Sequence, residues 1–147
     1  MQYDVRIKKL RDNAIVPTYG SEEAAGADLY AAIGEAVTIE SGETKMIPTG
    51  LAFEIPVGFA GFVYARSGLA CKRGLAPANK VGVIDSDYRG EVMVALHNHG
   101  REAQTIEAGE RIAQMVIAPY ITPSFILSES LDDTERGEGG FGSTGRK

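Results

Sequence analysis

Residues 81–92, "VGVIDSDYRGEV", place two carboxylates, Asp85 and Asp87, two positions apart with Tyr88 directly behind them. In extended backbone, residues two apart face the same side. One of these carboxylates can take a proton from water while the tyrosine ring packs on a ligand. Asp, Ser and Gly are also ordinary turn formers, and a turn alone accounts for the composition. A second stretch, "YARSGLACKRG", sets Arg66, Ser67 and Gly68 at the start of a short helical pattern that Gly74 closes. A helix start with a neighbouring guanidinium and hydroxyl suits an anion; capping by Ser67 is the alternative.

A third stretch, "RGEGGFGSTG", spans residues 136–145, and five of the nine residues from Gly137 to Gly145 are glycine. Gly140, Gly142 and Gly145 satisfy G-x-G-x-x-G, but the dinucleotide fold needs a preceding strand, a following helix and a later acidic residue. Here Lys147 is the last residue, so that reading fails. What remains is residue chemistry: glycine N–H groups, Ser143, Thr144 and Arg136 can surround phosphate oxygens. Phe141 offers a face for a base. A disordered terminus is the competing reading. His97 and His99 in "HNHG" lack a third soft ligand nearby and read as structural or surface residues. Cys71, the only cysteine, reads as a packed thiol.

The elements that carry these residues alternate apolar and polar with period two: "VRIKKL", "MIPTGLAFEI", "GEVMVALHN" and "RIAQMVIAPY". Clusters such as "EIPVGFAG", "APANKVG" and "DSDYRG" punctuate them, the last as a hairpin turn. Many short strands with frequent turns predict an all-β sandwich or barrel. "SGLACKRG" predicts one two-turn helix, and "SEEAAGADLYAA" reads equally as helix or strand entry. A chain of 147 residues suits one domain. The net charge of −5 argues against a nucleic acid polymer as partner, though not against a small phosphorylated ligand. No apolar run reaches the ~18 residues of a membrane span. The start "MQYDVRIKKL" lacks a signal-peptide apolar block, and a lone cysteine fits a reducing compartment, so the expected location is cytoplasmic.

Five stretches, "AGADLYA", "ARSGLA", "NKVGVIDSDYRGEV", "GERIAQMVI" and "RGEGGFGSTG", resemble in order and spacing the five motifs of trimeric dUTP diphosphatases, the dUTPases. The resemblance runs from Ala25 to Gly145. It implies a jelly-roll-like β-barrel of the β-clip type over residues 1–134, with one short helix. Residues 135–147 then form a flexible glycine-rich arm. It also implies a homotrimer with active sites at subunit interfaces, each completed by an arm. The implied reaction is hydrolysis of dUTP to dUMP and pyrophosphate, which limits uracil in DNA and supplies dUMP for thymidylate synthesis.

By the same resemblance Asp85 is the general base that activates water for attack on the α-phosphorus. Tyr88 packs under the deoxyribose and excludes a 2′-hydroxyl. Asn79 and the backbone of a hairpin from Asn79 to Val94, including Val81, Gly82, Val83 and Met93, read the uracil edge. Arg66, Ser67 and Gly68 hold phosphates and Gln114 adds a polar contact near them; Arg136, Ser143 and Thr144 engage the γ-phosphate, Phe141 covers the base, and Gly142 is a further substrate contact. Mg²⁺ is implied, held by phosphates and water rather than by direct protein ligands. Asp28 either supports that ion's water shell or fixes a turn or subunit contact. Two departures stand out: Ala65, where proline or glycine is frequent, and Glu110, where aspartate is frequent. The related dCTP deaminases need a glutamate in the strand after the hairpin, and Ala95 stands there. A non-enzymatic nucleotide-binding trimer is the other alternative, against which every expected reactive position is filled.

Overall fold

A computed structural model describes residues 3–146. Met1 and Gln2 of the expected barrel span, and Lys147 of the expected arm, lie outside the described residues. The described chain is built of short antiparallel strands and a single helix, as the period-two pattern predicts. The largest sheet has the order β2 (Thr18–Tyr19), β3 (Ala27–Tyr30), β12 (Arg111–Pro119), β7 (Phe59–Tyr64), β9 (Gly82–Ile84). A second joins β5 (Thr44–Pro48), β10 (Met93–Asn98) and β8 (Leu75–Pro77). Two-stranded ribbons of β1 (Arg6–Lys9) with β6 (Leu51–Glu54), and β4 (Val37–Ile39) with β11 (Gln104–Ile106), complete the wall.

The core between these sheets is aliphatic, with Leu29, Ile39, Ile47, Leu51, Leu75, Leu96, Ile106 and Ile112 fully buried. Strand β10 shows how sequence becomes packing. Val94, Leu96 and Asn98 point inward, while Met93, Ala95 and His97 face outward or lie half-buried. The inward polar residue is satisfied: Asn98 Nδ2 donates to the Ile39 and Glu102 carbonyls, and its Oδ1 accepts from the Gly100 N–H. That network folds the 98–102 loop, on which His99 is exposed. His97 Nδ1 lies 2.9 Å from the Thr44 hydroxyl.

Several local expectations are corrected. Of the two readings of "SEEAAGADLYAA", helix gives way and strand entry holds: a turn closed by the Ala24 N–H on the Ser21 carbonyl leads into β3. "MIPTGLAFEI" is two strands, because Thr49 and Gly50 interrupt it. The segment from Asn79 to Val94 is not a two-stranded hairpin with "DSDYRG" as its turn. Its neck is closed by the Ala78 N–H on the Ala95 carbonyl at 2.7 Å, but β9 leaves to pair with β7 while β10 pairs with β5 and β8. The helix α1 (Ser67–Arg73) forms as expected and ends at Gly74, but it buries only Leu69. Cys71 is exposed, not packed, since two residues further on a helix is about 200° around the axis.

Candidate active site

The predicted site residues fall into three groups. In the first, Arg66 follows β7 and its Nε donates to Asp28 Oδ1 on β3 at 2.8 Å. Arg111 Nη1 lies 3.5 Å from the other Asp28 oxygen. Gln114 stands between them on β12, opposite both Asp28 and Tyr64, and donates to the Ala65 carbonyl at 2.8 Å. Arg66 occupies the helix N-cap position but makes no side-chain cap, and Ser67 is the first helical residue. The Ser67 hydroxyl is exposed and takes no part in capping, so the capping reading does not hold. Glu110 closes this side: it pairs with Arg73 at the helix end and accepts from the Glu107 N–H.

The second group surrounds the loop after β9. Asp85 and Asp87 are both exposed, and the Tyr88 N–H bonds the Asp85 carbonyl at 3.2 Å. Asp85 and Tyr88 line a cleft of about 300 Å³ with Met46, Val83, Ile84 and Met93. Asn79 lies at the neck of the same excursion, exposed beside Gly82. Between Asn79 and Val81 the chain makes a tight turn, with the Val81 N–H on the Asn79 carbonyl and Lys80 at φ +66°. A lysine in that region is strained, and the surrounding strands hold it there.

The third group is the tail. Its hydrogen bonds run within itself: Arg136 Nε donates to the Gly139 carbonyl, the Ser143 N–H to Gly140 and the Gly145 N–H to Gly142. Arg136, Phe141, Ser143 and Thr144 thus rim a cup of about 560 Å³, with Phe141 fully exposed.

These groups do not meet within one chain. The β7–β9 register sets Gly61 opposite Ile84, the residue before Asp85. From Gly61 to Arg66 is a run of extended chain on the order of 17 Å. Arg66 moreover reaches toward β3, on the far side of β12 from β9. Asp85 and the Arg66 guanidinium of the same chain are therefore directed to well-separated parts of the sheet.

The dUTPase family model matches residues 12–145. The chain belongs to the dUTPase family. A deoxyuridine 5'-triphosphate nucleotidohydrolase of Desulfitobacterium hafniense is 56% identical over 131 residues, covering 88% of this chain and 87% of that one. Among solved structures, a single-site variant of the Staphylococcus bacteriophage 80alpha dUTPase with dUpNHpp superposes with a TM-score of 0.90 at 30% identity. It covers 99% of this chain and all of that one. A variant of the dUTPase from phage phi11 of S. aureus, described for its coordination of a structural Mg(II) ion, gives 0.79 at 25% identity. That match covers 87% of this chain and 98% of the other.

Within this dUTPase the structure adds residues that sequence reading missed. Glu91 accepts from Arg11 Nε at 2.8 Å and from the Gly50 N–H at 2.9 Å. The hydrogen bond from Arg11 is the main cause that holds the Glu91 carboxyl below its usual range, and the same pair raises the Arg11 guanidinium. Nothing in linear sequence joins positions 80 residues apart. Among the described residues no group of three or more His, Cys, Asp or Glu converges as a metal cage. Asp28, the carboxylate of the first group, is engaged by Arg66 and Arg111. Among the described residues no helix is long and apolar enough to cross a membrane.

Proposed function

We propose that this dUTPase hydrolyses dUTP to dUMP and pyrophosphate at sites assembled from more than one copy of the chain. The family match over residues 12–145 carries the reaction. The relatives are named for that activity, and a structural neighbour is described with the dUTP analogue dUpNHpp. Asp85, exposed at the mouth of the Tyr88 cleft, accepts the proton of the attacking water. Tyr88 lies under the deoxyribose, and Asn79 with the backbone at Val81, Gly82, Val83 and Met93 meets the uracil edge. A donor aimed at the uracil 4-carbonyl would face the cytosine amino group unpaired, which disfavours dCTP.

Arg66, Ser67, Gly68 and Gln114 supply the phosphate contacts. Arg136, Ser143 and Thr144 clasp the γ-phosphate while Phe141 and Gly142 cover the base. Magnesium would fit this set, because the arginines and hydroxyls suit phosphate rather than a bare cation. The triphosphate and water would hold the ion, while Arg66, Arg136, Ser143 and Thr144 hold the phosphates. When bound, it offsets the charge that develops on the phosphate oxygens. Asp28 orients Arg66 in this reading, since its oxygens already face guanidinium groups.

Two observations favour a shared site. Asp85 and Arg66 of one chain are directed to well-separated parts of the sheet, and a homotrimer brings them together from different copies. The segment after β12 also exposes Ile121, Phe125, Ile126, Leu127 and Leu131, each at least 86% open. Such an apolar strap calls for cover by another copy. Residues 3–134 then form the barrel and 135–146 the arm that closes a neighbour's site. The decisive test is incubation with dUTP and Mg²⁺. Release of pyrophosphate and dUMP is expected, with no ammonia from dCTP; intact dUTP would refute the assignment.

A further inference from the structure

Tyr88 is 44% exposed, so packing alone does not fix its ring. Two local features do. Its phenolic O–H donates to the Glu91 carbonyl at 2.9 Å. Its ring also lies over Gly90, where a Cβ would come within 2.6 Å of the Tyr88 Cζ. The ring is therefore placed as accurately as the peptide of Glu91 is placed.

That peptide is held from two directions. On its C-terminal side, buried Val92 is stitched into the wall. Its N–H donates to the Leu51 carbonyl at 2.8 Å, and its own carbonyl accepts from the Thr49 N–H and hydroxyl. On its own side chain, Glu91 receives Arg11 through Nε at 2.8 Å and Nη2 at 3.3 Å, plus the Gly50 N–H. Arg11 is itself seated beside that turn, since the Leu10 N–H donates to the Gly50 carbonyl at 2.7 Å. A two-point guanidinium–carboxylate contact fixes orientation as well as distance. The Glu91 carbonyl shares its planar peptide with the Val92 N–H, so the Leu51 bond holds one side of that unit. The Arg11–Glu91 contact steadies the other, and losing the contact lets the unit tilt about the Val92 hydrogen bond.

We infer that Arg11 is a positioning residue for sugar discrimination, setting the Tyr88 ring through Glu91. This rests on the reading of Tyr88 as the ring beneath the deoxyribose. Arg11 touches no substrate in that reading, and its side chain is 46% exposed. Its removal therefore costs only modest stability, the arginine end of the pair being half exposed, and acts chiefly on selectivity.

The test compares kcat/KM for dUTP and UTP in wild type, Arg11→Met, Arg11→Lys and Gly90→Ala. Arg11→Met is expected to lower the dUTP/UTP ratio about tenfold, with kcat on dUTP within about twofold of wild type. Arg11→Lys restores much of the ratio. Gly90→Ala, which displaces the same ring while sparing the ion pair, lowers the ratio as well. A drop in melting temperature with an unchanged ratio would reduce the pair to a structural contact and overturn the proposal. Should Arg11→Met not fold, Glu91→Gln carries the same expectation. If Tyr88→Ala itself leaves the ratio unchanged, the parent reading of Tyr88 has failed. Hydrogen exchange over residues 88–92 then judges the link alone: faster exchange in Arg11→Met supports it, and equal exchange overturns it.

Discussion

Among single residues, Asp85 is distinguished by how little restrains it. Its carboxylate is exposed, and among the described residues it has no hydrogen bond or ion pair. Asp28 is buried and engaged by two arginines, and Glu91 is held by Arg11. A base must be free to take a proton, and of these three only Asp85 is. Asp85→Asn keeps the shape and loses the acceptor, so dUTP binding should persist in calorimetry while pyrophosphate release falls about 10²–10⁴-fold. Asp87→Asn should leave most turnover. Tyr88→Ala should let UTP compete better, read as a lower inhibition constant for UTP against dUTP.

At the scale of elements, the turn between β5 and β6 does more than connect. Gly50 sits at φ +68°, and a Cβ there would lie 2.8 Å from the Ala14 Cβ. Both facts disfavour a side chain at this turn, whose Gly50 N–H donates to Glu91. Gly50→Ala should therefore cost about 2–4 kcal/mol in denaturant unfolding, from backbone strain and overpacking together. Acid should weaken the same joint. The folded Glu91 carboxyl is held below its ordinary value of 4.5, chiefly by the Arg11 hydrogen bond. A depressed carboxylate contributes stability that is complete above the unfolded value and is lost as pH falls through the folded one. Melting curves of wild type and Arg11→Met should thus differ at neutral pH and converge in strong acid. A difference that persists unchanged at low pH would remove Glu91 from the account.

For the whole molecule, the separation of Asp85 from Arg66 makes a test that no single-chain site can pass. Asp85→Asn and Arg66→Met should each be inactive alone. Mixed, unfolded together and refolded, they should recover about a quarter of wild-type activity, the share of sites that draws both intact residues from different copies of a symmetric ring. No recovery would place all the chemistry in one chain. Removing residues 136–147 should abolish most turnover while circular dichroism and melting of the barrel stay close to wild type, because the tail's hydrogen bonds are its own.

Reactive groups and strand alternation are both local properties of the chain. Motif residues are chosen for reactive groups, and period two follows from backbone geometry, so both can be read locally. Strand β10 and helix α1 were legible in this way. Which strand lies beside which was not, because alternation names a buried face and not a neighbour. Hence the expected hairpin proved to have its arms in two sheets. A short helix has two faces and one core to meet, so Leu69 rather than Cys71 is buried. Only the tertiary structure could bring Arg11 to Glu91, since a contact across 80 residues leaves no periodic trace. It also decided that Arg66 turns toward β3 while Asp85 sits beyond β7 on β9's far end. Strand order fixes that distance, because β12 and β7 lie between β3 and β9.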